Sequence, residues 1–329
     1  MWSIYYFMNL FKKITLLLSF TMLLSGCSLF RIKPGGSSDS QPSSALVTNP
    51  ENTVTENINS IHVEPAKPHI EKRKITLVLG GAGVASFATV GLLKRFYEEG
   101  IEVESIITTG WPTLFALANG FLKSVHDLEW FAMRLQEKDF YKASIFDPSK
   151  GYAAHERLSS LVESNFKQKE INESKVPLVI SAANTEGDEN DIYDRGEWRT
   201  PLLKTMSIPG IFRPYPQTDK REWIQSLQGM DVDEAKKRGG KIIVAVEMYT
   251  DYFDFLKSGK KDSSDGVFRQ LYLSSLKKSM GKELKEATLI GHIQLHTSPT
   301  NFEQKRLAIF SGYKEGARLA KAIRLIEGD

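Results

Sequence analysis

Two strand-to-helix turns in close succession constrain this chain more than any other feature of it. In KITLVLGGAGVASFATVGLLKRFYEEG, a short aliphatic run from Ile75 to Leu79 meets a glycine turn at Gly80, Gly81 and Gly83. A helical pattern then continues to Gly100, behind Glu98 and Glu99. Strand, glycine turn and helix in that order form the first unit of a parallel α/β sheet. The second unit follows at once in SIITTGWPTLFALANG, with a strand from Val103 to Thr108, a tight turn at Gly110 and a helix from Pro112. Proline suits the first helical turn because its missing N–H has no partner to lose there.

Beyond these units the pattern stays α/β. Helical periodicity fills 121–138 and 153–167, VPLVISAAN (176–184) reads as a third strand, and DIYDRG follows a hydrophilic turn. After SIPGIFRPY and a helical DVDEAKKRG comes KIIVAVEM (241–248), a buried strand by composition. The polar, basic stretch 251–285 reads as helices or a lid-like insertion, and ATLIGHIQL and a helix from Phe302 to Ile326 close the domain. The apolar positions Leu92, Leu93 and Phe96, and likewise Leu307, Phe310 and Leu319, fall on helix faces expected in the core. The aromatics of WFAMRLQEKDFY (130–141) are read the same way, with a lipid groove as the alternative, and no role is assigned to Trp198 or Trp223.

The N-terminus has a different character. Lys12 and Lys13 precede an apolar run from Ile14 to Leu24, and small residues lead to Cys27, the single cysteine. That is the three-part plan of a secretory signal, and the run is too short to span a bilayer. Leu24-Ser25-Gly26-Cys27 resembles the lipobox of bacterial lipoproteins, which implies cleavage before Cys27 and its lipidation. Translation from Met1 or from Met8 is left open. Residues 28–73, rich in Gly, Ser, Pro, Asn and Thr, read as a disordered tether with a reach of roughly 35–40 Å. The expected organisation is therefore a signal peptide (1–26), a lipidated Cys27 with its tether (27–73) and one α/β domain (74–329). A domain of about 255 residues buries enough surface to need neither disulfides nor a structural metal. The expected location is the bacterial envelope, at the outer membrane if the cell has one.

A formal charge of +3 with scattered Lys and Arg argues against nucleic acid as a partner. The six histidines (His62, His69, His126, His155, His292 and His296) include one close pair, in GHIQLH. On a strand, His292 and His296 would share a face, yet no third ligand is evident, so no metal and no cofactor is expected. Gly81-Ala82-Gly83 after a strand looks like part of a dinucleotide fingerprint, but Ser86 replaces the third glycine and Glu104 lies at the wrong end of the next strand.

Three stretches in the right order resemble the patatin-like phospholipase family over nearly all of 74–326. LGGAGVAS is similar to the family's Gly-rich GGGxRG loop, Thr108-Thr109-Gly110-Trp111-Pro112 stands at its GxSxG elbow, and SIPGIFRPY is similar to its SxxPxxFPP segment. The resemblance implies a three-layer α/β fold with a mainly parallel central sheet flanked by helices, and lipid acyl hydrolysis by a serine and an aspartate.

The residues for that chemistry are missing. Acyl transfer needs a hydroxyl on a strained elbow, a base and backbone donors for the oxyanion. Counting from Gly80 without a gap puts the family's serine on Gly110, and either Gln225 or Trp223 falls at its Asp. Gly80, Gly81 and Gly83 remain of the oxyanion loop, with Ala85 and Ser86 where the family has Arg and Gly. They either keep an anion or head-group site or merely allow the turn. Thr109, Thr113 and Ser105 are the nearby hydroxyls, with Thr109 expected to face away from Gly110 and Thr113 to lie inside a helix. Asp231 and Asp233 read as ordinary first-turn carboxylates. The expectation is a non-catalytic lipoprotein that binds a lipid, a fatty-acyl ligand or a protein partner, with Trp111 narrowing or plugging the old cleft. The alternative is an acyl hydrolase with a displaced nucleophile such as Thr109.

Overall fold

The computed structural model describes residues 74–140, 155–166, 169–186, 190–216, 222–258 and 264–326. The expected leader, Cys27 and the tether lie outside them.

Five parallel strands form the centre of the sheet: β1 (Lys74–Gly81), β2 (Glu102–Gly110), β3 (Leu178–Asn184), β7 (Ile243–Met248) and β8 (Leu289–His292), in the order β3-β2-β1-β7-β8. Antiparallel strands extend the β3 side. Both β4 (Asn190–Tyr193) and β6 (Glu222–Gln225) pair with β3, and β5 (Tyr215–Pro216) pairs with β6. Seven of the eight residues of β1 are buried, as expected of a central parallel strand covered on both faces. The mixed α/β class, with a mostly parallel sheet flanked by helices, is as the sequence predicts.

The helices follow in chain order. A tight 3-10 turn at Gly83–Phe87 leads into α1 (Ala88–Glu98), and α2 (Pro112–Phe121) starts on its proline. The helical pattern expected over 121–138 is made of separate pieces. Leu122 leaves α2 in an extended conformation, and Ser124 forms a capping box with Asp127 that starts α3 (Val125–Arg134). Reciprocal capping satisfies two N–H groups of the new helix and fixes the break. One turn, α4 (Glu137–Phe140), comes next, followed by α5 (Glu156–Phe166), α6 (Arg199–Met206) and α7 (Val232–Lys237). The polar stretch after β7 is two helices, α8 (Thr250–Ser258) and α9 (Ser264–Lys285), and the chain closes with α10 (Lys305–Ile326). The GHIQLH reading also needs correction. The strand stops at His292, and His296 lies beyond it with φ of 57°, so the two imidazoles share no strand face.

The first and last helices cross closely because two glycines meet there. A methyl at Gly91 would fall 1.8 Å from the Ile309 carbonyl oxygen, and one at Gly312 would fall 1.9 Å from that of Ala88. Backbone cannot yield as a flexible side chain can, and overpacking of this kind costs about 1–3 kcal/mol. Gly312→Ala is therefore expected to destabilise the fold by about 2 kcal/mol or more. Gly281→Ala in α9, where nothing lies within 4 Å, should instead stabilise it by about 0.5–1 kcal/mol. Urea unfolding of the two variants reads the opposite signs directly.

Candidate functional site

Register brings the two diagnostic turns to one level. Gly81 lies opposite Gly110 in the β1–β2 pair and opposite Met248 in the β1–β7 pair. The turns leave the sheet at the carboxyl ends of its central strands, where ligands bind in open parallel sheets.

The elbow keeps its backbone and has lost its space. Gly110 has φ of +75°, a left-handed conformation suited to a sharp strand-to-helix turn. A Cβ there would lie 2.2 Å from the Gly81 carbonyl oxygen and 3.3 Å from Gln225 Oε1. The N–H of Trp111, which in a nucleophile elbow would face the oxyanion, donates to Gly81 O at 3.1 Å. The Gly110 N–H donates to Thr205 Oγ1 at 2.7 Å.

The glycine loop is filled by the chain's own atoms. Val84 N–H donates to the Pro299 carbonyl at 2.7 Å, and that oxygen stands 2.2 Å from where a Gly83 Cβ would be. At Gly80 a methyl would meet Gly229 O at 2.0 Å, and at Gly81 it would meet Met248 Cβ at 2.8 Å. Ser86 is fully buried, and its hydroxyl has no hydrogen-bond partner among the described residues.

Of the two candidates for the Asp position, Gln225 faces Gly110. Its Nε2 donates to Tyr272 Oη at 2.6 Å, and its Oε1 accepts from Tyr249 Oη at 3.3 Å. Burial raises the pKa of both phenols, that of Tyr272 to about 12, so both stay protonated and neutral. Trp223 lies away from this group, with its indole N–H on Asp191 at 2.6 Å and the Lys204 ammonium 3.6 Å from its ring centre. The space in front of the elbow is thus taken by a glutamine and two tyrosines, brought by β6, the end of β7 and α9. Trp111 is not that plug. Its ring stacks on Phe140 at 5.0 Å and packs against Phe212 and Phe302, inside an aromatic cluster.

The other hydroxyls near the elbow are engaged. Thr109 Oγ1 accepts the Ser226 N–H at 2.9 Å and lies 3.2 Å from Thr205 Oγ1. Thr113, inside α2, pairs with Thr108 at 3.2 Å, and Ser105 donates to Thr76 at 3.3 Å. His155, given no role from the sequence, is 2.7 Å from Ser207 Oγ, but that hydroxyl donates to Leu203 O. Burial lowers the His155 pKa to about 4, so the ring is neutral near pH 7 and donates through Nε2. His292 is hydrogen-bonded to the Glu247 carboxylate, which raises its pKa. Thr250 Oγ1 lies 3.4 Å from Glu247 and 3.5 Å from His292 Nε2. The hydroxyl thus meets the carboxylate and the imidazole at nearly equal, long distances.

Asp231 is not the ordinary first-turn carboxylate its spacing suggests. It is buried ahead of α7, accepts from Ser181, takes Asn190 Nδ2 at 2.8 Å and lies 3.3 Å from Ser226 Oγ. Asp233 does stand in the first turn of α7, its N–H on Glu283 at 3.0 Å. Among the described residues no group of three or more His, Cys, Asp or Glu could hold a metal ion.

No family model matches the chain. Among solved structures it is similar to one described as the crystal structure of VipD from Legionella pneumophila. The identity is 13% and the TM-score 0.39, over 77% of this chain and 67% of that one.

Two outcomes follow from this geometry. Gly110→Ser places a Cβ against Gly81 O in a left-handed backbone, and is expected to cost about 2 kcal/mol or more, read as a lowered unfolding midpoint. Burial, outweighing the Ser181, Asn190 and Ser226 hydrogen bonds, raises the Asp231 pKa from 3.8 to about 6. A carboxyl held higher in the folded state contributes stability that is complete below its unfolded value and lost as pH rises through the folded one. Wild-type stability should therefore fall, by on the order of 2–3 kcal/mol from this group, between pH about 4 and pH about 7. Asp231→Asn should flatten that part of the curve in urea unfolding across the range.

Proposed function

We propose that this chain is a patatin-like lipoprotein that has left catalysis and works by binding, held at the bacterial envelope through a lipidated Cys27. The observation that carries the reading is the closed elbow. Gly110 supplies no nucleophile and leaves no room for one, and Gln225 facing it can take no proton. The order of the glycine loop, elbow and SIPGIFRPY segment along the chain supports the family resemblance. With the elbow filled by Gln225, Tyr249 and Tyr272, a fatty-acyl or protein ligand has to bind elsewhere on the domain or displace the tyrosines.

The deciding experiment is covalent labelling with a serine-reactive fluorophosphonate beside hydrolysis of p-nitrophenyl butyrate and a fluorogenic phospholipid. No adduct and no turnover above background is the expected result, in the wild type and in Thr109→Ala alike. Turnover that disappears in Thr109→Ala would establish a displaced acyl hydrolase instead. Because removing the nucleophile of a working serine hydrolase costs about a million-fold in turnover, a faint rate unchanged by the substitution leaves the binding reading standing.

A further inference from the structure

The periodicity that puts Leu307 and Phe310 in the core is overruled by the structure. Leu307 is 42% exposed and Phe310 55%, and Trp130, from the segment also read as core, is 67% exposed. The helices that carry them, α3 and α10, both pack on α1. Lys305 Nζ donates to the carbonyls of Met133 and Leu135, both at 2.6 Å, and so ties the end of α3 to the start of α10. A shallow groove of about 470 Å³ runs between those helices and α1, with Met133, Ile309 and Phe310 among its walls.

Charge on the layer they form is mainly basic. The carboxylates of α1, α3 and α10 are engaged within it. Lys94 binds Glu129 at 2.7 Å, Tyr313 Oη donates to Glu98 at 2.6 Å, and Arg318 holds Glu315 at 2.7 Å. Glu99, just after α1, pairs with Arg95 and Arg324, and Asp127 is held by the Ser124 hydroxyl at 2.8 Å. Arg134, Arg306, Lys314 and Lys321 are exposed and have no carboxylate partner among the described residues. The acids near them are Glu303, exposed in the turn before α10, and the half-buried Glu137 and Asp139 of α4, with Asp139 acting on Lys305, so basic charge prevails on the layer without being alone there. Lys314 Nζ stands 5.2 Å from the Phe310 ring centre, so cation and aromatic are interleaved.

We propose that the α1–α3–α10 layer docks on an anionic bilayer, with Trp130, Leu307 and Phe310 entering the headgroup region and Arg134, Arg306, Lys314 and Lys321 facing lipid phosphates. Aromatic rings settle at the membrane interface, and long basic side chains lay their stems on apolar surface while their charges reach the phosphates. Leu307 and Phe310 gain nothing from the phosphates of a nucleic acid in water, whereas a bilayer accepts both the rings and the charges. The proposal deepens the membrane-side reading above and rests on it for the bilayer.

The test uses the chain from Ser28 onward, which lacks the thiol and keeps every described residue, so it is independent of lipidation. Sedimentation with vesicles of phosphatidylcholine, alone or mixed with phosphatidylglycerol, should show binding to the mixed vesicles only, and weaker binding at high salt. Each basic residue near an anionic surface contributes about 1 kcal/mol, so Arg306→Gln with Lys314→Gln should weaken binding roughly thirty-fold. Trp130→Ala with Phe310→Ala should weaken it as well, whereas Leu271→Ala, at an exposed position on α9, should not. Unchanged unfolding midpoints confirm that the variants fold. Equal binding to neutral vesicles, or indifference to both pairs of substitutions, overturns the proposal. Retention on heparin without vesicle binding overturns it in favour of a soluble polyanion. Failure of the anchor reading shows separately, as a Cys27 peptide from the membrane fraction without acyl mass.

Discussion

The carbonyl of Gly81 is the hinge of the whole site. It ends the central strand, accepts the Trp111 N–H that opens the second helix, and occupies the volume a side chain at Gly110 would need. One oxygen therefore fixes the elbow and closes it. The surrounding substitutions then form a consistent set. A carboxylate at position 225 would be a buried charge with no cation beside it, which is costly, whereas the amide is satisfied on both atoms by tyrosines. Neutral groups completing a hydrogen-bond network in a dry interior rigidify it, a state opposite to that of a site waiting for substrate.

Much of the frame was legible in the sequence because it rests on local rules. Glycine turns after aliphatic runs gave β1 and β2, and a proline gave the start of α2. The change of helix near 121 is legible as a change of pattern, whereas its placement at Leu122 to Ser124 rests on the capping pair Ser124 and Asp127. Leu307 and Phe310 were assigned to the core by apolar periodicity. Period alone cannot say how wide an apolar face is covered, and here α10 buries the side holding Ala308, Gly312, Gly316 and Leu319.

The site was legible in its losses rather than in its contents. Gly110 and the choice between Gln225 and Trp223 could be read by counting. The tyrosines could not, because Tyr249 and Tyr272 belong to segments with no spacing relation to the elbow. Pro299 over the glycine loop and the buried Asp231 cluster are likewise products of tertiary approach. Asp231 meets Ser181, fifty positions away, and no local pattern encodes such a meeting.

The crossing of α1 with α10 bears on the order in which the molecule can be completed. Arg95 reaches Tyr313 across a sequence separation of 218 residues. The first helix therefore has its principal neighbour only when the last one arrives, and until then the notch at Gly91 stands open. Contacts of such separation carry a large loop-closure cost and form late. Strands β1, β2 and β3 can pair without the C-terminal half, but the first helix is fully covered only in the finished chain, so losing the last helix would uncover the first.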